Sequence, residues 1–408
     1  MPKPPISKTF CPAPFNSVTV TATGRLSLCC DSTTDYSFNG GYKNIADKGS
    51  IAEWFDGEYM QSVREAMVEG RALKECATCY RTEKLYNRSF RLNKLKEYPE
   101  PREPDVRTAV IMFGNKCNLR CKMCFPHSSS ELMKEWKSLG WDKNDPMKGQ
   151  RGDYYEGYLE ENYEWPRQQE NVDKLMAMSG GFREMQFTGG EPMLNPQMFK
   201  FLENCVEKGT ARETQLHVTT NCTSIHPRFL SLAREFKGVN LRLSVDGFGD
   251  TYDYIRYPAR WPEVEANIKR YAEWFGQGKV NGQLIANVVA GVFNLHQLAD
   301  LCRLLREHVQ VIHITELTRP DFMTWQHAPE STQKEAKHGA AKLALDPDPL
   351  LSHTGREIAT MMLKGAGAQP HGGSHRRLAE FVRAQDGHRR IKIGDYIDHL
   401  SYINFPAF

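Results

Sequence analysis

Six short runs of apolar or alternating residues, at 107–113, 183–188, 214–220, 240–246, 283–292 and 309–316, read as strands in the middle of the chain. Between most of them lie amphipathic segments, 196–208, 226–236, 262–275 and 295–307, whose apolar residues recur at helical spacing. Six such strand-and-helix units predict an α/β fold with a parallel sheet, curled by right-handed crossovers. Upstream, Ser17-Val18-Thr19-Val20-Thr21, then Thr23-Gly24, then Leu26-Ser27-Leu28 form a hairpin pattern. Val18 and Val20 share one face of its first strand, and Leu26 and Leu28 share one face of the second. A helical pattern from about Ile51 to Glu69 follows, with Ile51, Trp54, Phe55, Met60, Val63 and Met67 as its apolar positions.

Two departures from this rhythm set the expected boundaries. Residues 128–170 form an insertion rich in charge and aromatics: Trp136, Trp141, Tyr154, Tyr155, Tyr158, Tyr163 and Trp165. Packing of a surface helix is expected from them ahead of a lid over a site. After Phe322 the alternation fades, 326–350 is mostly polar, and Asp-Pro-Asp-Pro at 346–349 marks a break. The expected domains are therefore 1–105, 106–325 with the insertion, and a mainly helical extension, 326–408.

Composition narrows the class without choosing a function. The 408 residues carry 53 basic and 50 acidic side chains, a net +3 that gives no overall attraction to nucleic acid or membrane. A basic stretch, Arg376-Arg377 through Arg389-Arg390-Ile391-Lys392, is the local exception, and a solvated helix face is its expected role. The N-terminus lacks the apolar core of a signal peptide and no run approaches a membrane span, so a cytoplasmic location is expected. Eleven cysteines, seven of them in tight groups, then suggest metal rather than disulfides.

Three of those cysteines fall within eight residues, Cys117-Asn118-Leu119-Arg120-Cys121-Lys122-Met123-Cys124, just after the first of the six strands. Thiolates are soft ligands for zinc or iron–sulfur clusters, and three can hold three corners of a cubane while leaving one iron open. A structural zinc site would be closed by a fourth Cys or His. Together with Thr188-Gly189-Gly190-Glu191-Pro192 farther on, the loop resembles the radical S-adenosylmethionine (radical SAM) superfamily. That resemblance implies an open (β/α)6 partial barrel, with a [4Fe-4S] cluster on Cys117, Cys121 and Cys124 whose open iron chelates SAM. It implies reductive cleavage of SAM to a 5′-deoxyadenosyl radical that abstracts hydrogen from a substrate. Met123 stands where the family often has an aromatic residue beside the adenine, and a thioether can pack on a purine ring similarly.

The resemblance also assigns residues at the C-terminal strand ends, where barrels of this kind keep their reactive groups. Gly189, Gly190 and Glu191 carry over onto the segment that meets the SAM amino group. Thr220, Asn221, Ser244, Asp246 and Arg256 carry over onto the strand ends that contact the rest of SAM. Cys222 occupies a place where the family frequently has glycine. His313 and Glu316, near the end of the last strand, could meet substrate, although alternation sends them to opposite faces. Cys205 and Cys302, inside helical patterns, are expected in the core.

A second cysteine group lies upstream: Cys11, Cys29, Cys30, Cys76 and Cys79. Four of these thiols would complete either a [4Fe-4S] or a zinc site. Cys11-x12-Gly24-x4-Cys29 resembles the opening of SPASM and twitch modules, which hold auxiliary clusters in radical SAM enzymes. The resemblance implies one auxiliary [4Fe-4S] cluster on Cys11, Cys29, Cys76 and Cys79, with Cys30 in reserve. The expected activity is oxidoreductase chemistry on a peptide or small molecule, with an electron leaving through that cluster and with flavodoxin or ferredoxin as reductant. A binding function for nucleic acid is not expected. The alternative class is a non-catalytic iron–sulfur or zinc protein that binds a partner such as RNA.

Overall fold

The computed structural model describes residues 7–32, 44–99, 103–147, 162–365 and 373–404. Tyr154, Tyr155 and Tyr158 of the insertion lie outside them. The described residues contain eight strands: β1 (Ser17–Val20), β2 (Leu26–Ser27), β3 (Thr108–Ile111), β4 (Glu184–Phe187), β5 (Gln215–Thr220), β6 (Gly238–Ser244), β7 (Gly282–Ala290) and β8 (Val311–Glu316). The last six coincide, within a few residues at each end, with the six runs read from the sequence. Among the described residues no helix is long and apolar enough to cross a membrane.

The chain forms two compact units. One comprises Met1–Lys116, Gly152–Val218 and Arg228–Gly238; the other comprises Cys117–Arg151, Thr219–Pro227 and Val239–Phe408.

In the first unit the strands run in the order β2-β1-β3-β4-β5. β1 and β2 pair antiparallel through Thr19–Ser27 and Val20–Leu26, as the hairpin pattern predicts, and Gly24 turns the chain at φ +81°. β1 then does something its alternation does not announce: it pairs in parallel with β3, Ser17 beside Thr108 through Val20 beside Ile111. Ser17, Val18, Thr19 and Val20 are consequently all buried. The hairpin is thus a continuation of the parallel sheet. β3 pairs with β4, and β4 with β5 over Gln215–Val218, both in parallel. The pattern from Ile51 to Glu69 becomes two helices, Ile51–Phe55 and Glu58–Val68. Ser50 and Glu53 close a capping box on the first, and Gly57 opens the second, so capping chemistry overrides the continuous apolar spacing. Phe113 anchors an aromatic core, stacked on Trp165 at 5.6 Å and Phe187 at 5.8 Å.

In the second unit β6, β7 and β8 pair in parallel, with Ser244 beside Asn287 and Asn287 beside His313. Trp136, on the helix Ser130–Ser138, is fully buried, as is Trp165 in the first unit, which makes packing the role of these two insertion aromatics. The helices Glu330–Ala344 and Pro349–Lys364 pack on each other, and the second also packs on β8. Cys205 and Cys302 are core residues of their helices.

Candidate active site

The cysteine loop belongs to the second unit, where backbone hydrogen bonds shape it. The Arg120 and Lys122 amides donate to the carbonyls of Tyr257 (2.7 Å) and Ile255 (2.9 Å), at and beyond the end of the helix Gly249–Ile255. Ser129 caps the helix Ser130–Ser138 through the Leu132 amide, and its hydroxyl also donates to the Leu119 carbonyl at 2.5 Å. One short segment is therefore pinned from both sides.

Polar hydrogens converge on its thiols. The Leu119 amide lies 3.5 Å from Cys117 Sγ, and Asn221 Nδ2 lies 3.9 Å from the same sulfur. Asn221 also donates to Asn118 Oδ1 at 2.9 Å, so it braces the loop it touches. Arg256 Nη1 is 3.9 Å from Cys121 Sγ. Burial pushes the Cys121 and Cys124 thiols up, and at Cys124 the charges of Cys121 and Cys117 add to it. Neutral thiols are favoured until a cation compensates them. Met123 and Cys124 are half-buried.

Asp246 and Arg256 are turned toward each other. Arg256 Nη2 sits 2.5 Å from Asp246 Oδ2, and Asp246 is fully buried. Asp246 Oδ1 also accepts the Val289 amide at 2.8 Å. Burial alone would lower the Arg256 pKa, but Asp246, Cys121 and Tyr252 outweigh it and raise it. Thr220 Oγ1 accepts the Cys222 amide at 3.1 Å. Cys222 itself is buried with φ +61°, a left-handed backbone that explains a glycine-like position. Ser244 is half-buried at the end of β6. Glu316 accepts the Trp325 indole at 2.9 Å, while His313 is exposed.

Gly189, Gly190 and Glu191 lie in the first unit. Gly189 has φ +108°. A Cβ on Gly190 would stand 2.3 Å from the Lys116 carbonyl oxygen, and the Glu191 amide donates to that same oxygen at 2.7 Å. Glu191 is buried, and its Oε1 caps the short helix Pro192–Leu194 by accepting the Met193 amide at 3.1 Å. The carboxylate thus has a structural partner in addition to any ligand. Gly190→Ala is expected to destabilise the protein by about 1–3 kcal/mol, the usual cost of overpacking. Urea denaturation checks it, and an unchanged midpoint would mean that this contact relaxes freely.

The upstream cysteines gather in the first unit. Cys11 is pushed up to about 12 by burial and then by Cys76 and Cys79, and Cys76 to about 11 by burial and then by Cys79. Cys29 is raised by burial, Cys30, Asp31 and Cys11, whereas Cys30 is raised by burial and Asp31, with Cys79 among its neighbours. The expectation that Cys29 and Cys30 point apart as strand neighbours loses its footing, because β2 ends at Ser27. Cys11 is among the groups that raise Cys29, and Cys79 among those that raise Cys30.

Among the described residues no three His, Cys, Asp or Glu side chains already converge at metal-ligand distances. Both cysteine groups fit a cluster by donor chemistry: soft thiols, close enough to raise one another, with N–H groups aimed at sulfur in the loop. Sequence reading missed Lys122, Glu135, Asp386 and Arg389. Lys122 is fully buried and lowered to about 7, by burial first and by Arg389 next, against the pull of Asp386. Partners more than 250 positions apart leave no local signal.

Residues 111–282 match the family model described as the radical SAM superfamily. That family's domain implies a [4Fe-4S] cluster and SAM. No curated protein matches the chain. Among solved structures, Streptococcus suis SuiB bound to S-adenosylmethionine is 16% identical with a TM-score of 0.33, covering 64% of this chain and 52% of that one. Native anSMEcpe with bound AdoMet and Cp18Cys peptide is 16% identical with a TM-score of 0.36, covering 58% of this chain and 60% of that one. The methyltransferase TsrM from Kitasatospora setae, with tryptophan substrate and a SAM analogue, is 12% identical with a TM-score of 0.33, covering 52% and 36%. The chain thus spans about half to three fifths of SuiB and anSMEcpe.

Proposed function

We propose that the protein is a radical SAM enzyme that abstracts hydrogen from a peptide or small-molecule substrate, with net oxidation through an auxiliary [4Fe-4S] cluster. The observation that carries this reading is the Cys117–Cys124 loop. It holds three thiols in eight residues, inside the span matching the superfamily model, with N–H groups directed at two of the sulfurs. When bound, the cluster and SAM supply a 5′-deoxyadenosyl radical by reductive cleavage.

The chain's own residues bind, orient and tune. Cys117, Cys121 and Cys124 are the ligands, and the N–H groups of Leu119, Asn221 and Arg256 stabilise negative charge on sulfur. Asp246 keeps Arg256 oriented toward Cys121 rather than acting on SAM directly. Gly189 and Gly190 leave backbone accessible to the SAM amino group, with Glu191 beside them. Thr220, Asn221 and Ser244 offer hydroxyl and amide contacts, and Met123 a thioether surface for the adenine. Asn287 and His313, in register with Ser244 on one face of the sheet, are suited to face substrate. Cys11, Cys76 and Cys79, with Cys29 or Cys30, would hold the auxiliary cluster.

Electron paramagnetic resonance of the anaerobically reconstituted, reduced protein tests the assignment. Adding SAM should change the spectrum of one of two cubane signals. A spectrum indifferent to SAM would contradict an open iron at this loop.

A further inference from the structure

We propose that the C-terminal helix Ser374–Arg389 is a working part of the cysteine-loop site, with Asp386 and Arg389 as positioning residues that hold the loop in its metal-binding shape. The inference rests on reading that loop as an iron–sulfur site. Lys122, between Cys121 and Cys124, is fully buried and places Nζ 2.5 Å from Asp386 Oδ1. The Tyr254 hydroxyl donates to the same carboxylate at 3.1 and 3.3 Å, and Lys122 Nζ lies 4.4 Å above the Tyr254 ring. On the other flank of Cys121, the Arg120 carbonyl accepts Arg389 Nη2 at 2.7 Å. The same guanidinium grips both oxygens of Glu135, at 2.7 and 2.8 Å, and Gln385 adds a third bond to Glu135 at 3.1 Å. The Tyr257 ring lies 4.8 Å from the Arg120 guanidinium and 4.9 Å from that of Arg389.

Asp386 and Arg389 are three residues apart, hence on one face of the helix, and they seize the residues immediately before and after Cys121. The Arg389 and Glu135 side chains are both wholly inaccessible. Burying such pairs is costly, and apolar residues of the same volume would hold a fold as well or better. What a bidentate, charge-assisted grip adds is geometry. Arg120 also reaches Glu135, at 3.3 Å, so that carboxylate ties the loop to the helix through two guanidinium groups. Arg389, read from sequence as part of a basic stretch, is buried in this arrangement.

Partners in an outer shell of this kind typically change metal affinity by about 10- to 100-fold when removed. The test uses the full-length, reconstituted protein and follows the SAM-sensitive electron paramagnetic resonance signal as an iron chelator is raised. Glu135→Met with Arg389→Met removes the grip and leaves no fully buried charge unpaired, only the part-exposed Arg120 without its carboxylate. It should unfold at the wild-type denaturant concentration, yet lose half its signal at about 10- to 100-fold less chelator. Asp386→Asn keeps the shape and should move the chelator midpoint the same way, with Asp386→Glu restoring part of it. A wild-type midpoint and line shape in both the paired variant and Asp386→Asn would overturn the inference. A wild-type protein with no SAM-sensitive signal would overturn the underlying reading and this inference with it.

Discussion

Replacing Cys117, Cys121 and Cys124 together by alanine should bring SAM cleavage down to background and lower the iron content from roughly eight to roughly four per chain. Three irons of the cubane need a thiolate each, and Asn118, Leu119, Arg120, Lys122 and Met123 offer none in its place. The fold should survive. The loop is held by backbone bonds to Tyr257 and Ile255, by the Ser129 hydroxyl and by Asp386 and Arg389, none of which involves a cysteine side chain. Iron analysis and circular dichroism on the triple variant decide the matter. A remaining cubane signal assigns the rest of the iron to the Cys11, Cys29 or Cys30, Cys76 and Cys79 group. Zinc with no signal would instead make the upstream group a structural metal site.

The second large effect concerns stability. Arg256→Met should cost about 3–5 kcal/mol, because Asp246 would be left as a buried carboxylate with its cation gone. The paired change Asp246→Leu with Arg256→Met removes both charges and should recover most of that loss. Both variants lack the N–H donor to Cys121, so both should shift the cluster potential from that of the wild type while differing widely in stability. Urea titration with potentiometry separates the two effects. Equal stability of the single and paired variants would refute the idea that Asp246 depends on Arg256.

Much of the parallel sheet was legible because its strands alternate or run apolar over the expected lengths, and the helices between them keep one apolar face. The pairing of β1 with β3 was not legible. Ser17 and Thr19 make that segment look half-exposed, and only a tertiary neighbour buries both of its faces. The helix pattern from Ile51 to Glu69 misled for a local reason, the cap at Gly57.

At the site, cysteine spacing made the loop visible, and the place of Cys222 in sequence agrees with its φ of +61°. Asp246 and Arg256, which the resemblance assigns to SAM, pair with each other, and Arg256 also reaches toward Cys121, a link that no local pattern announces. The Lys122–Asp386 and Glu135–Arg389 pairs join residues with no periodic or motif relation, so only the folded chain brings them into view.

The central claim is that this chain cleaves SAM at the Cys117–Cys124 loop. The most direct measurement is 5′-deoxyadenosine formed by the anaerobically reconstituted, reduced wild-type protein beside the triple cysteine variant. The account predicts product from the wild type and none above background from the variant. An intact, reducible cluster in the wild type with no 5′-deoxyadenosine, or equal product from both proteins, would contradict it.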